Sequence, residues 1–530
     1  MQDLPETLYC VDSVVQLEQA AINQYGIPAY ALMKRAGAAV FNIIETRYSH
    51  NKKILVLCGA GNNAGDGYVV ATLARQAGYE VHIISLVEPA TLKNEASLAY
   101  QDWLQQFDSE QECSAVTAIA KEDDKELFSW LGDAEVIVDA ILGTGIRRDV
   151  SALWSYWIKG VNKSAKPVIS VDIPSGLIAD TGHIAGAAIQ ATVTVCFIGL
   201  KQGMFTAQGN DVCGEVIFDN LALPDEAYQQ VPADARLIKT LDYSMLPRRK
   251  ASSHKGNFGH VLIVGGNHGM PGAVILAARA ALRTGAGLVT IITIPQHLEA
   301  ISSAVPEAMI KTCDISAEEG FSIDDLFNDP SINHVTHVAI GMGLGQDEWS
   351  LRMLQHCMKL KKPMLIDADA LNLIAKHEFS DSDFLKISHL VITPHPGEAA
   401  RLLSKTEKHM TADVQNDRFT AIKKLHQLFD QSEFCTVILK GSGTLIFDGS
   451  SIKVCRLGNA AMAAPGMGDV LSGIVISLMA QNLSTATSAA IDIAELAVCL
   501  HAAAADLLVK DKTRGLLASD VVENLAVVLQ

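Results

Sequence analysis

The chain has 530 residues, of which 49% are apolar and 19% are charged, and its formal net charge is -17. A chain of this length is typical of about two to four domains, and its apolar share excludes wholesale disorder. The acidic balance argues against nucleic acid or an anionic membrane as a partner, because both are bound by basic surfaces. An anionic nucleotide stays compatible with it, since local backbone amides and a few cations suffice to bind phosphate.

Ten cysteines stand singly along the chain, without a C-x-x-C pair. That spacing predicts reduced thiols rather than disulfides or a zinc cluster. Residues 1–10 carry acids and lack the basic-then-apolar pattern of a signal peptide. The apolar runs, such as residues 285–295, have the length of strands and not of membrane spans. These features predict a soluble cytoplasmic protein.

Residues 12–48 carry apolar residues at spacings of three and four, which predicts two helices broken near Gly26 and Pro28. Short runs rich in Val and Ile then alternate with segments of helix length. This alternation is typical of a parallel sheet with crossover helices. The predicted strands of this first series cover residues 54–58, 81–86, 136–140, 168–171 and 191–198.

The stretch 221–247 loses this rhythm and carries Pro224, Pro232 and Pro247, which predicts a linker. A second series follows, with helices predicted at residues 273–284 and 470–480. Its predicted strands cover residues 260–264, 288–294, 335–340, 364–366, 390–392 and 436–439. We therefore predict two fused α/β domains, split near residue 235.

A glycine-rich turn, GAGNNAGDG (59–67), follows the first strand of the first series. The backbone amides of such a strand-to-helix turn can bind a phosphate. The turn matches a dinucleotide fingerprint imperfectly, because the next glycine falls one position late, at Gly65. The carboxylate of Asp66 would also repel a pyrophosphate. A hydride-transferring dehydrogenase is therefore disfavoured.

Two further strand ends carry acids. VDAILGTGIRRD (138–149) places Asp139 before a small-residue loop and two arginines, and VDIPSG (171–176) places Asp172 at the next strand end. Ligands of parallel sheets bind beyond the carboxyl ends of the strands, so the three loops are expected to converge. Arginine would hold phosphates, and Asn, Asp and Ser oxygens would hold a monovalent cation or move protons. One such acid alone would equally cap a helix or turn, but its recurrence favours a site.

These three motifs resemble the epimerase half of the bifunctional NAD(P)H-hydrate repair enzymes, across most of residues 10–230. The resemblance implies a Rossmann-like three-layer domain over residues 1–230 that interconverts the R and S epimers of the hydrated cofactors NADHX and NADPHX. It implies that Asp172 is the acid/base group at the hydrated carbon. A potassium ion would be bound by Asn63, Asp139 and Ser175. The hydrated dinucleotide would contact Asn62, Asn63, Ala64, Gly65, Asp66, Gly143, Thr144, Gly145, Ile146, Arg147, Arg148, Asp149 and Asp172.

The second series carries polar motifs at its strand ends and helix starts. HKGNFGH (254–260) leads into the first strand and GGNHGMPGA (265–273) opens a helix, while GMGLG (341–345), TPHPGE (393–398) and KGSGT (440–444) each follow a strand. GMGD (466–469) opens a further helix, where glycine amides form an anion nest and Asp469 can accept a hydroxyl proton. This division of labour is what phosphoryl transfer requires. The loop is not of the Walker type, because Lys440 precedes its glycines.

Taken singly, His395 has a simpler interpretation as a turn residue, Lys440 as a solvated lysine and Asp469 as a helix cap. The ordered set resembles the nucleotide-dependent NAD(P)HX dehydratases of the ribokinase-like fold, over residues 240–528. The resemblance implies a dehydratase domain over residues 235–530. There ADP or ATP would phosphorylate the hydroxyl of the hydrate, and elimination of phosphate would restore the reduced cofactor; ADP would leave as AMP.

The same resemblance implies that Asp469 is the general base, that magnesium accompanies the nucleotide, and that Glu398 binds the magnesium through water. The hydrate would contact Ala273, Gly343, His395 and Asp469. The adenine nucleotide would contact Lys440, Gly441, Ser442, Gly443, Thr444 and Gly468.

Two rival hypotheses stay open from the sequence. One is a ribokinase-like small-molecule kinase whose N-terminal domain is a regulatory dinucleotide-binding domain; the TPHPGE and HKGNFGH motifs argue against it. The other makes the N-terminal half a non-catalytic interaction module. Apolar positions on the first two helices would serve a homo-oligomer or packing within one chain equally well. The choice between ADP and ATP, the choice between NADHX and NADPHX, and transfer of intermediates between the sites also stay open.

Overall fold

The structure is a computed structural model. It describes residues 4–106, 117–120, 125–246, 248–313, 323–379, 381–384, 387–405, 408–429, 432, 434–481, 489–509 and 513–529. The chain divides into two compact units, Met1–Leu237 and Ile238–Gln530. The described helices include none with the length and hydropathy needed to cross a membrane.

The N-terminal unit is built on a sheet of seven described strands, all parallel to their neighbours. In spatial order the strands are Thr117–Ile119, Glu80–Ser85, Lys53–Cys58, Val136–Ala140, Val168–Val171, Val193–Phe197 and Glu215–Asp219. The helices are Val11–Asn23, Ala29–Arg47, Asn62–Gln76, Asn94–Leu104, Lys125–Asp133, Ala152–Ser164, Gly209–Val212 and Asp225–Gln230.

Side chains of the central strand Lys53–Cys58 point alternately to two cores. Val56 packs in one buried cluster with residues of the first three helices. Leu55 and Leu57 pack in a second cluster with Trp157. Both faces of the sheet are therefore covered by helices, which gives the predicted Rossmann-like three-layer sandwich.

A small strand group completes the N-terminal unit. Thr7–Tyr9 pairs in parallel with Leu200–Lys201, with Tyr9 opposite Lys201. It pairs in antiparallel fashion with Ala235–Ile238.

The C-terminal unit has a sheet of parallel strands followed by two antiparallel ones. In spatial order these are Met309–Thr312, Leu288–Thr293, His260–Val264, His337–Ile340, Met364–Ile366, Leu390–Ile392, Cys435–Leu439, Thr444–Phe447 and Ile452–Cys455. The helices are Pro271–Thr284, Leu298–Ala304, Ile323–Asn328, Pro330–Asn333, Glu348–Lys359, Ala368–Lys376, Asp381–Phe384, Pro396–Leu403, Thr411–Asn416, Arg418–Gln427, Met467–Ala480, Ala489–Val509 and Ala518–Val528. Short 3-10 turns in the chain lie at Pro89–Thr91, Gln202–Phe205, Lys255–Phe258, Pro295–His297 and Ala460–Met462.

The structure confirms the predicted alternation of strands and helices, and five of the predicted strands keep their bounds: Val136–Ala140, Val168–Val171, His260–Val264, Met364–Ile366 and Leu390–Ile392. The prediction of an irregular linker over residues 221–247 is wrong in part. That stretch contains the helix Asp225–Gln230 and the strand Ala235–Ile238, while Pro247 lies outside the described residues. The nine described cysteines are free thiols, and Cys113 lies outside the described residues.

Candidate active sites

A cavity of about 1420 Å³ lies beyond the carboxyl ends of the parallel strands in the N-terminal unit. Its walls include the segments that follow three of these strands, together with Glu18 and Met33 from the first two helices. The turn after the first strand is tight: a Cβ at Gly59 would lie 1.8 Å from the carbonyl oxygen of Ile141. Glycine is therefore required at position 59, where the turn after Lys53–Cys58 contacts the loop after Val136–Ala140. The wall segments that follow the strands are residues 60–63, 141–151 and Asp172.

Serine hydroxyls and a backbone carbonyl oxygen lie around the carboxylate of Asp139 at the base of these loops. The Asp139 carboxylate is fully buried, and it accepts hydrogen bonds from Ser175 N at 2.9 Å, Ser175 Oγ at 2.5 Å and Ser170 Oγ at 2.8 Å. Burial raises the pKa of Asp139, against the opposing effect of these hydrogen bonds. Asn63 Nδ2 donates to Leu142 O at 3.0 Å, which ties the first loop to the second.

Asp172 lines the cavity from a strained backbone position, with φ at +65°. Its Oδ1 accepts a hydrogen bond from Phe197 N at 3.1 Å and an ion-pair hydrogen bond from Lys201 Nζ. The Lys201 side chain is 1% exposed and the Asp172 side chain 18%. The acid that faces the cavity is therefore held by a buried cation.

Two more acids face the same cavity, Glu18 and Asp66. Burial raises the pKa of Asp66 well above its usual range, and the charges of Asp172 and Glu18 add to this effect. Desolvation, followed by the charge of Asp172, raises the pKa of Glu18 as well. Lys201 is the cation that offsets part of both shifts.

In the C-terminal unit, Asp469 lies in the first turn of Met467–Ala480. The helix starts after Gly466, whose φ of +88° favours glycine. Burial and then the charge of Asp367 raise the pKa of Asp469 to about 7. Its carboxyl makes no hydrogen bond within the described part of the chain, so it is available to a ligand at a helix N-terminus.

Lys440 forms the centre of the charged cluster beside Asp469. Its Nζ lies 2.7 Å from Asp367 Oδ1 and 3.9 Å from Glu398 Oε2. Asp367 Oδ2 accepts a hydrogen bond from Ser472 Oγ at 2.7 Å. A Cβ at Gly468 would lie 3.2 Å from Lys440 Nζ, so the glycine start of the helix adjoins the ammonium.

His395 and Glu398 form a reciprocal cap at the start of Pro396–Leu403. His395 N donates to Glu398 Oε2 at 2.8 Å, and His395 Nδ1 accepts from Gly397 N at 2.9 Å. Burial and then Lys440 lower the pKa of His395. Burial raises the pKa of Glu398 to about 7 against the attraction of Lys440. At neutral pH His395 is therefore uncharged.

Arg418 supports the loop that begins at Lys440. Its guanidinium donates to Leu439 O at 3.0 Å, Lys440 O at 3.2 Å and Gly443 O at 3.4 Å. The residue is 2% exposed, and burial lowers its pKa to about 10. Among the described residues, only backbone carbonyl oxygens accept hydrogen bonds from this buried guanidinium. Arg418 therefore holds the backbone of the loop.

Similarity to known proteins extends over almost the whole chain. The family model described as NAD(P)H-hydrate dehydratase matches residues 261–526, and the model described as YjeF-related protein N-terminus matches residues 29–203. The bifunctional NAD(P)H-hydrate repair enzyme Nnr of Coxiella burnetii is 38% identical, over 98% of this chain and 99% of that protein. The enzyme of the same name from Escherichia coli is 39% identical, over 98% of this chain and 94% of that protein.

The chain belongs to the bifunctional NAD(P)H-hydrate repair enzymes. The predicted family is thus confirmed, and the rival hypothesis of a small-molecule kinase is displaced. Among solved structures, the ADP/ATP-dependent NAD(P)H-hydrate dehydratase of Bacillus subtilis co-crystallised with ATP and Mg²⁺ has a TM-score of 0.43. That chain is 26% identical, and the match covers 55% of this chain and 98% of that one.

Most residues that the sequence predicted for the first site of this repair enzyme line its cavity. Ala64 and Gly65 do not; they are buried in the helix Asn62–Gln76, and a Cβ at Gly65 would lie 2.5 Å from Met33 Cε. Asp139 and Ser175 lie behind the lining residues and bond to one another. The predicted residues in the cavity wall are Asn62, Asn63, Asp66, Gly143, Thr144, Gly145, Ile146, Arg147, Arg148, Asp149 and Asp172.

The second site gathers its predicted residues in two groups. Ala273 meets Gly343, since a Cβ at Gly343 would lie 3.0 Å from the Cβ of Ala273. Lys440 is the centre of the charged cluster described above, and His395, Gly468 and Asp469 lie next to it. The remaining predicted residues belong to the turn over Arg418 that leads into Thr444–Phe447: Gly441, Ser442, Gly443 and Thr444.

Five charged or titratable residues at these sites were not predicted from the sequence: Glu18, Lys201, Asp367, Arg418 and His501. Asp367 follows the strand Met364–Ile366 directly, so the strand-end argument applied to Asp139 would have found it. Lys201 was visible as a lone charge in an apolar run. Arg418 and His501 gave no signal, because their surroundings come from distant parts of the chain. His501 Nε2 is buried without a hydrogen-bond partner among the described residues, and burial followed by Lys440 lowers the His501 pKa to about 4.

Proposed function

We propose that this chain repairs NADHX and NADPHX by epimerisation in residues 1–230 and by nucleotide-dependent dehydration in residues 235–530. The observation that carries the proposal is that each unit holds a carboxyl close to a lysine: Asp172, at a strand end in the first unit, and Asp469, at a helix start in the second. Full-length relatives of the same organisation support the pairing of the two activities.

In the first site, Asp172 is the acid/base group. Epimerisation requires the hydroxyl-bearing carbon to lose and regain its configuration, by departure of the hydroxyl or by opening of the ring. A carboxyl can give a proton to the departing oxygen and take it back when the bond re-forms on the other face. Arg147 and Arg148 are placed in the cavity wall, where they would bind the phosphates of the dinucleotide.

The atoms around Asp139 fit a potassium ion by their chemistry. One buried carboxylate, a serine hydroxyl, an amide side chain and the carbonyl oxygen of Leu142 lie together, and Asp139 has no cationic side chain as a partner among the described residues. We propose that Asn63, Asp139 and Ser175 hold the ion. When bound, potassium would balance the charge of Asp139.

In the second site, Asp469 is the general base. It accepts the proton of the substrate hydroxyl while that oxygen forms a bond to the terminal phosphorus of ADP or ATP, and the bond from phosphorus to the nucleotide breaks. The C–O bond then breaks as phosphate leaves, and loss of a proton from the adjacent carbon forms the double bond of NADH or NADPH. Lys440 and the glycine amides at the helix start stabilise the transferring phosphoryl group.

Ala273, Gly343 and His395 would contact the hydrate, and residues 440–444 with Gly468 would contact the adenine nucleotide. Magnesium is proposed to enter with the nucleotide phosphates, since it typically binds through phosphates and one or two carboxylates. The carboxyl oxygens of Glu398 already lie near His395, with Oε1 3.2 Å from Nε2, so a ligand role through water fits Glu398 better than a direct one. Magnesium bound to the nucleotide would neutralise phosphate charge.

The test mixes purified protein with both NADHX epimers, magnesium and potassium, with ADP or ATP in separate reactions. The return of NADH absorbance measures dehydration, and chromatography of the two epimers without nucleotide measures epimerisation. We expect Asp469→Asn to lower the dehydration rate by about 10²-fold or more, and Asp172→Asn to do so for epimerisation. Asn is the chosen replacement because it tolerates the left-handed backbone of residue 172.

Asp520→Asn is the matched control, since Asp520 also lies in the first turn of a helix, Ala518–Val528, but caps Leu517 N at 3.0 Å. It should leave both rates unchanged. No NADH with either nucleotide would refute the dehydratase proposal. Epimerisation by the intact protein no faster than the spontaneous rate would favour the non-catalytic module for the first half, and unchanged epimerisation by Asp172→Asn would refute the role of Asp172.

A further inference from the structure

We propose that Lys201 is a positioning residue of the first site, whose buried ammonium fixes one carboxylate oxygen of Asp172 so that the other oxygen faces the substrate. The proposal rests on the epimerase function proposed for Asp172. It assigns a role to a residue in the strand Leu200–Lys201, which is remote from the glycine-rich turn that marks the site in the sequence.

The contacts of Lys201 leave it no capacity to bind substrate. Its Nζ donates to Asp172 Oδ1, to Phe197 O at 3.0 Å and to Cys196 Sγ at 3.5 Å. An ammonium has three donors, so all of them are engaged within the protein. The side chain is 1% exposed and does not line the described cavity. A direct catalytic role of the amine is therefore excluded by its geometry.

The contacts of Asp172 are divided unequally between its two oxygens. Oδ1 receives both Lys201 Nζ and Phe197 N, the latter at 3.1 Å. Oδ2 accepts no hydrogen bond from the described residues. The backbone is fixed as well, because Asp172 N donates to Val195 O at 2.8 Å. Lys201 thus determines which carboxylate oxygen is free to exchange a proton with a ligand in the cavity.

The charged surroundings explain why a cation is needed at this position. Asp172 is faced by Asp66 from the helix Asn62–Gln76, by Glu18 from Val11–Asn23, and by Lys201 and Cys196 from the strands behind it. Burial acts to lower the pKa of Lys201, but the charges of Asp172, Cys196 and Glu18 and the hydrogen bond to Asp172 together raise this pKa by more, so the net shift is upward. Lys201 therefore stays charged, and Asp172 is the acid with which it forms the direct ion pair.

The test replaces Lys201 with methionine, which is similar in length but has no charge or donor. Epimerisation is measured without nucleotide as a function of pH, after subtraction of the spontaneous rate. We expect kcat to fall by about 10²-fold or more while KM changes less than about threefold, because Lys201 does not touch the cavity. The pH profile of kcat should move up by about one pH unit or more, because loss of the Lys201 charge disfavours the ionised form of the carboxylate.

Lys453→Met is the matched control. Lys453 is also a buried lysine with acidic partners, Asp492 at 2.7 Å and Glu495 at 2.6 Å, but it belongs to the other unit and does not line the epimerase cavity. It should leave the epimerisation rate and its pH profile unchanged. Four of the five tryptophans are in the N-terminal unit, so tryptophan fluorescence and near-ultraviolet circular dichroism report whether Lys201→Met keeps that unit folded.

A folded Lys201→Met variant with the wild-type kcat, or with a lower kcat and an unmoved pH profile, would overturn the inference. If Lys201→Met unfolds, the double variant Lys201→Met with Asp172→Asn is measured next. Recovery of the fold would support the inference that Lys201 compensates the charge of Asp172, and equal instability of the single and double variants would contradict it. The function proposed for Asp172 fails separately, if Asp172→Asn alone epimerises at the wild-type rate.

Discussion

The two units place a lysine against an aspartate in opposite relations to the proposed catalytic acid. In the N-terminal unit Lys201 pairs with Asp172 itself, the acid that faces the cavity. In the C-terminal unit Lys440 pairs with Asp367, and Asp469 is left without a direct ion pair and with a pKa raised to about 7. A lysine–aspartate pair thus fixes the proposed catalytic acid itself in the first site. In the second site such a pair influences the pKa of the neighbouring Asp469.

The difference fits the chemistry proposed for each site. A general base that removes a proton from a hydroxyl works best when its pKa is near the working pH, which is the case for Asp469. A group that must give and take the same proton benefits instead from a fixed orientation. An acid at a strand end or a helix start therefore indicates a site but does not reveal which role the acid has.

The largest expected effect comes from removing the cation of the second pair. Lys440→Met leaves the Asp367 carboxylate, 2% exposed, without its ion-pair partner. We expect a loss of about 3 kcal/mol in the free energy of unfolding, the usual cost of an uncompensated buried charge. Native-state hydrogen exchange of the helix Met467–Ala480 measures the loss.

The double variant Lys440→Met with Asp367→Asn is the control, because it removes both charges. It should recover most of the lost stability. Equal stability of the single and double variants would show that the charge of Asp367 does not matter in the folded unit.

The pH dependence of dehydration sharpens the comparison. Asp469 acts as a base only when ionised, so with a pKa of about 7 the rate should fall as the pH drops below about 7. After burial, Asp367 is the largest cause of the raised pKa, so Asp367→Asn should move this inflection to lower pH by about one unit. The quantity to measure is the pH at which the dehydration rate inflects, and not the maximal rate. An unmoved inflection would mean that Asp367 does not tune Asp469.

The smallest expected effect concerns the nucleotide loop. Arg418→Met removes the donors to Leu439, Lys440 and Gly443 carbonyls without touching either aspartate. We expect KM for the nucleotide to rise about fivefold, or about 1 kcal/mol, with kcat little changed. Steady-state kinetics with ADP and ATP measures it. A large fall in kcat at constant KM would place Arg418 among the groups that stabilise phosphoryl transfer instead.

The fold was predictable where apolar runs are long enough to show a period. Val136–Ala140 and Leu390–Ile392 were found with their bounds, because buried parallel strands appear as unbroken Val, Ile and Leu. Thr7–Tyr9 and Leu200–Lys201 were missed, since two or three residues carry no periodic pattern. Their formation depends on pairing between distant segments, which no local signal records.

The candidate sites were predictable as loops but not as contacts. The strand-end and glycine-rich motifs pointed to Asp172, which lines the cavity, and to Lys440, which lies beside Gly468. The partners of these acids lie far along the chain, 29 residues from Asp172 to Lys201 and 73 from Asp367 to Lys440. Ala64 shows the opposite case. It lies within a predicted binding motif, but its side chain is buried in the core, because this part of the motif folds as a helix.

The pairing of Tyr9 with Lys201 bears on how the enzyme can be divided for study. The family match of the N-terminal unit covers residues 29–203, so it includes Lys201 but neither the strand Thr7–Tyr9 that fixes its backbone nor the helix that carries Glu18. A fragment cut at residue 29 would keep every motif residue and yet lose one wall of the cavity. Truncation experiments on this half should therefore retain the chain from residue 4 onward. Otherwise an inactive fragment would reflect the loss of a strand and not the absence of a catalytic residue.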